Sequence, residues 1–123
     1  MSVIVTDSGF TADTFAGSTV DLPSDTKPDA LADLIKGAEM VRVEFPAFSD
    51  GRGFTLARIL RAEGFGGRLR AKGHVIADQY AMARRSGFDE VEISEELAAR
   101  QPQEQWLARA DWRAYDYHAR LQG

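Results

Sequence analysis

The strongest constraint on the fold lies in the middle of the chain, where three strand-like segments alternate with two helix-like ones. Met40–Phe45, Arg68–Lys72 and Glu90–Ile93 each alternate apolar and charged residues. Val41, Val43 and Phe45 are interleaved with Arg42 and Glu44, Leu69 and Ala71 with Arg68, Arg70 and Lys72, and Val91 and Ile93 with Glu90 and Glu92. A period of two is the mark of a strand with one apolar face. Between them, Gly53–Glu63 places Leu56, Ile59 and Leu60 on one helical face, and Val75–Arg85 does so with Val75, Ile76, Gln79, Tyr80, Met82 and Ala83. Strand–helix alternation with short loops predicts right-handed crossovers and a parallel sheet.

Sheets covered by helices on both sides usually have continuously apolar strands, whereas these carry charge on every second residue. The alternation therefore predicts a sheet with one apolar and one charged face, like part of a (β/α) barrel, with too few strands to close. On the charged face Glu44, Arg70 and Glu92 are expected to form an acid–base–acid rung, each neighbour contributing about 0.2–1 kcal/mol. The N-terminal segment, the C-terminal helices, a second subunit or water must cover that face.

The flanks read less clearly. Residues 1–27 are irregular, with short strands at Val3–Val5 and Thr19–Leu22 around a polar loop carrying Gly9 and Gly17, and 23–28 is a linker. Leu31, Leu34 and Ile35 mark a helix that Gly37 ends. Residues 95–121 are helical in character. Pro102 divides them into a short helix and a longer amphipathic one carrying Trp106, Leu107, Trp112, Tyr115 and Leu121. The fold class is thus α/β: a single small parallel-sheet βαβαβ domain over 1–123, resembling a partial (β/α) barrel with C-terminal amphipathic helices.

Composition narrows the chemistry. The 123 residues contain no cysteine, which excludes disulfides and thiol catalysis. A net charge of −4 argues against nucleic acid or an anionic membrane as general partners. The N-terminus lacks the basic and apolar regions of a signal peptide, and no run approaches a membrane span, so a cytoplasmic protein is expected. No metal-ligand spacing appears around His74 and His118, the two histidines. Gly64-Phe65-Gly66-Gly67 precedes a strand, the wrong context for a dinucleotide fingerprint, so no cofactor is assigned.

Ligands of α/β proteins bind at the carboxyl ends of the strands. Ser49–Arg52, Lys72–His74 and Ser94-Glu95 should meet there. Asp50, Gly51, Arg52 and Gly53 lie between a strand and a helix. With Lys72 and Ser94 they make a candidate anion site, combining cationic side chains with the backbone N–H groups of helix starts. The plainer role of Asp50 is to cap the helix, and that of Arg52 to pair with a nearby carboxylate. His74 and Asp78, four residues apart, could share a helical face and transfer protons. Alternatively, Asp78 could pair with Arg70 or Arg52. Trp106 and Leu107 share one face of the last helix, and Trp112, Tyr115 and Ala119 another. One face is expected inward and the other against a partner, most simply a second copy in a homodimer. His118 reads as a surface residue.

The run Phe45 to Phe54 (F-P-x-F-x-D-G-R-G-F) is followed by A-R-x-L-R from Ala57 to Arg61 and G-x-L-R-A-x-G from Gly67 to Gly73. Asp78-Gln79 and R-x-G-F-D from Arg85 to Asp89 come next. Over roughly residues 29–94 this resembles a small family of uncharacterised bacterial proteins labelled as oxidoreductases of sulfite reduction. Their genes tend to lie beside that of sulfite reductase. The resemblance implies an accessory role in assimilatory sulfite reduction, with sulfite reductase components as partners. The competing expectations are a small-molecule enzyme acting on an anionic substrate through His74 and Asp78, and a purely structural dimeric scaffold.

Overall fold

A computed structural model describes residues 2–115. Six strands form one sheet: β1 (Ser2–Thr6), β2 (Gly9–Thr11), β3 (Thr19–Leu22), β4 (Met40–Phe45), β5 (Arg68–Gly73) and β6 (Glu90–Ser94). Their order is β2-β1-β6-β5-β4-β3. The four strands β3 to β6 are parallel and lie in chain order, as consecutive strands of a (β/α) barrel do, while β1 pairs antiparallel with both β6 and β2. Helices α1 (Leu31–Leu34), α2 (Arg52–Ala62) and α3 (Tyr80–Ser86) make the crossovers. Successive moves in one direction with right-handed crossovers place all three on the same face.

That face holds the core. Val41, Val43, Phe45, Leu69, Ala71, Val91 and Ile93 project from the strands against Leu31, Leu56, Leu60, Tyr80, Ala83 and Phe88. Phe45, Phe54 and Phe88 form an aromatic triad with centroids 4.9–6.5 Å apart. Helices α4 (Glu95–Arg100) and α5 (Gln103–Leu107) follow β6 and extend this layer over β1 and β2. From α5, Trp106 is buried edge-on to Tyr80, and its indole N–H donates to the Gln101 carbonyl.

The C-terminal helices therefore lie on the apolar face, and the charged face is covered by the N-terminal segment. Residues 12–18 leave β2 at one edge of the sheet and enter β3 at the other, so they run across that face as an extended strap. Asp13 grips Arg70 at 3.1 Å, Phe15 stacks on the Arg68 guanidinium, and Ser18 bonds to Gly37 and Glu39.

Beneath the strap, Arg70 has no exposed surface, and Glu90 and Glu92 are almost fully buried. The expected rung is displaced. Glu44 stands opposite Lys72 and is exposed, while Arg42 and Arg70 are side by side. Glu92 bonds to both arginines, at 3.2 and 2.8 Å, and so relieves their repulsion. Glu90 bridges Arg70 and Arg68, and Asp21 closes the far end on Arg42.

The last helix also departs from expectation. It ends at Leu107, and Trp112–Tyr115 forms a separate 3-10 turn in which Trp112 donates to Asp7. The face predicted to join Trp112 to Ala119 is therefore not continuous with α5. Ala119, Leu121 and His118 lie outside the described residues.

Candidate functional site

All four parallel strands end at one edge, where the predicted site residues arrive on separate loops. The β4–α2 loop is self-contained. Arg52 folds back on Asp50, with Nε and Nη2 at 3.0 and 2.8 Å, and its Nη2 also reaches the Ser24 hydroxyl. The Arg52 backbone N–H donates to the same carboxylate, so Asp50 serves the first turn of α2 while Gly51 holds the N-cap position. The Arg52 side chain, then its backbone N–H, hold the Asp50 carboxyl well below the usual carboxylate range. This loop already contains an anion for its guanidinium, although the Arg52 side chain is 60% exposed. Gly53 serves packing: a Cβ there would lie 2.5 Å from the Phe45 ring. Ser94 is likewise a cap, its hydroxyl accepting from the Leu97 N–H at 3.1 Å.

The expected His74–Asp78 pair does not form. Asp78 lies in the turn Ala77–Gln79 that precedes α3, is largely exposed, and pairs with Arg109 at 2.8 Å. Nor does it reach Arg70 or Arg52. His74 follows β5, where Gly73, at φ +120°, brings the chain so close to Phe45 that a Cβ would meet its carbonyl at 2.6 Å. The His74 backbone N–H donates to that carbonyl, and Nδ1 lies 3.0 Å from the Pro46 carbonyl. A carbonyl only accepts, so Nδ1 carries the proton and Nε2 is the nitrogen left for a ligand.

The His74 ring divides two depressions. One, of about 520 Å³, runs between Pro46–Phe48 and the end of α4, with Ile76, Leu97, Arg100 and Gln101 along its walls. The other, of about 200 Å³, is bounded by Glu44, Lys72 and Gly73. Lys72 makes no ion pair with another described residue. Arg100 is paired with Glu96 one turn earlier, both side chains being largely exposed. Such surface pairs contribute only about 0.3–0.5 kcal/mol, so an incoming anion competes for Arg100 easily. The walls are mainly apolar, and Phe48 is 60% exposed at the rim. Gln79 fixes the rim by donating to the Phe48 carbonyl, and Gln101 accepts from the Ala77 N–H.

Of the expected site residues, the structure brings His74 to this cleft and Lys72 to the smaller depression behind the ring, and it gives Asp50, Gly51, Arg52, Gly53, Asp78 and Ser94 local contacts elsewhere. Phe48, Leu97, Arg100 and Gln101 were missed. Arg100 and Gln101 lie at the end of α4 before Pro102, and only the tertiary fold carries them opposite His74. Among the described residues no three His, Asp or Glu side chains are grouped to hold a metal ion, and no helix is long and apolar enough to cross a membrane. No curated protein matches the chain. A family model described as a bacterial protein of unknown function (DUF934) matches residues 19–122, from β3 onward. The match spans most of the sequence, and the chain belongs to the DUF934 family.

Proposed function

We propose that the protein is an accessory component of assimilatory sulfite reduction, and that it binds a small oxyanion in the cleft between His74 and Arg100. The observation that carries this reading is the cleft itself, at the carboxyl ends of β4 and β5, where α/β proteins place ligands. It combines an anchored imidazole with an easily released guanidinium, and Lys72 adds charge behind the ring. The link to sulfite reduction is supported by the motif resemblance from Phe45 to Asp89. Binding is favoured over proton-transfer catalysis because His74 Nδ1 is held by the Pro46 carbonyl and not by Asp78, which points to Arg109.

Two assays test the two halves of this reading. Sulfite titrated into isotope-labelled protein should shift the amide signals of Phe48, His74 and Arg100 saturably, and Arg100→Ala should weaken binding roughly tenfold. Tagged protein from cells grown on sulfate should retain sulfite reductase subunits in stoichiometric amount. Shifts scattered over the surface would remove the anion site, and a preparation free of sulfite reductase would remove the accessory role.

A further inference from the structure

The opposite edge of the sheet, where β5 and β6 begin, has a cleft of about 480 Å³ with a different chemistry. Four arginines line it, Arg61, Arg68, Arg84 and Arg113, together with Asp89, and Arg68 and Arg84 are paired with Glu90 and Asp7 beside it. Three of these cations are each paired with one acid, which leaves Arg113 as the uncompensated charge of the four among the described residues.

Three of the guanidiniums are held by the scaffold. Arg61 donates to the carbonyls of Gly87, Phe65 and Gly67 and to Asp89, using four of its five N–H groups. Arg84 bonds twice to Asp7 and once to the Phe88 carbonyl, leaving two N–H groups. Arg68 spends two on Glu90. The fourth, Arg113, lies 4.8 Å from the Trp112 ring centroid and makes no hydrogen bond or ion pair with another described residue. Trp112 is itself fixed, through its indole N–H to Asp7 and its carbonyl to Arg85. The cleft is thus lined from several elements by guanidinium groups that keep unused N–H donors.

We propose that this cleft binds a small molecule carrying two linked phosphate-type oxyanions, the diphosphate class. Guanidinium forks match the paired oxygens of such groups, and anchored forks lose little freedom on binding. One unused N–H on Arg61, two on Arg84, three on Arg68 and the whole Arg113 guanidinium exceed what one tetrahedral ion engages, whereas a diphosphate spans two or more such groups. The site lies at the other end of the strands from the His74 cleft and does not depend on the reading given to that cleft.

Trp112 supplies the probe, because the other tryptophan, Trp106, is buried in the core. Full-length protein is titrated with inorganic pyrophosphate, orthophosphate and ADP at ionic strength held constant with sodium chloride, read by tryptophan fluorescence and by calorimetry. Saturable binding of pyrophosphate, at least tenfold tighter than orthophosphate, is expected. ADP binding as tightly would place a nucleoside diphosphate in the site, and weaker ADP binding would restrict it to the free ion. Arg113→Ala removes only a stacking partner, so the variant should fold normally and bind pyrophosphate roughly tenfold or more weakly. No saturable heat or fluorescence change with pyrophosphate, or one that Arg113→Ala leaves intact, would overturn the proposal.

Discussion

Arg70 shows how a charge can be placed in the interior of a small protein. It has no exposed surface, yet it donates from Nε to Glu90 and from Nη1 to Glu92, and both Nη atoms bond to Asp13. No buried side-chain nitrogen or oxygen among the described residues lacks a partner. Removing the guanidinium would leave the buried Glu90 and Glu92 with one arginine each, Arg68 and Arg42, and breaking a buried pair costs about 3–5 kcal/mol. Arg70→Ala should lower the free energy of unfolding by that amount in urea titrations. Arg70→Lys should recover little, because a compact ammonium lacks the planar fork that spans Glu90 and Glu92 on β6 and Asp13 on the strap. A loss below about 1 kcal/mol would mean that the cluster is solvated in solution. Alternation in the sequence put Arg70 on a charged face, but it did not reveal the stagger between strands. Glu44 was therefore paired with Arg70 when the register sets it against Lys72.

The strap is the element that sequence periodicity could not reveal. Five inter-strand gaps separate β2 from β3, about 24 Å at the usual spacing. The eight steps from Thr11 to Thr19 reach about 26–29 Å when fully extended. The segment is thus nearly taut, and most of its residues are exposed. Near its start it is held by Asp13 on Arg70, a contact 57 residues away in sequence. Hydrogen bonding by Arg70 holds the Asp13 carboxyl below its ordinary value, and Asp21 is lowered in the same way by Arg42. For Glu92 burial works in the other direction, and the bonds from Arg70 and Arg42 outweigh it. Carboxylates lowered on folding contribute stability that is present above their unfolded values and lost as the pH falls through the folded ones. The protein should therefore lose stability below about pH 4. Asp13→Ala should flatten part of that acid dependence and speed amide exchange over residues 12–17, while exchange in β4 and β5 stays slow. Unchanged exchange in the strap would show that Phe15 and Ser18 hold it without Asp13. The central strands and helices were legible because each repeats its own period, whereas the strap has none and is defined by what it crosses.

At the scale of the molecule, two parts of different character share one sheet. The family match begins at Thr19, so it takes in the parallel strands β3 to β6 and their helices but not the β1–β2 hairpin or the strap. Those first residues nevertheless complete both faces. Val5 joins the helix-side core, Ile4 is buried on the charged side, and β1 pairs with β6 over four residues. Without them β6 becomes an open edge with Val91 and Ile93 beside it, and Arg70 loses both its cover and one carboxylate. Open apolar edges recruit other strands. A chain beginning at Thr19 is thus expected to associate beyond the full-length chain on size-exclusion chromatography with light scattering, and a synthetic peptide of residues 1–18 added in trans should restore the full-length chain's association state. A truncated chain that keeps the association state and the urea midpoint of the full-length chain would show that the parallel strands form a complete unit and that the hairpin and strap are additions to it. The alternative outcome, association that the peptide reverses, would make the N-terminal segment an integral strand and cover of the sheet, because a mere appendage would not return the freed edge and the uncovered arginine to their native partners.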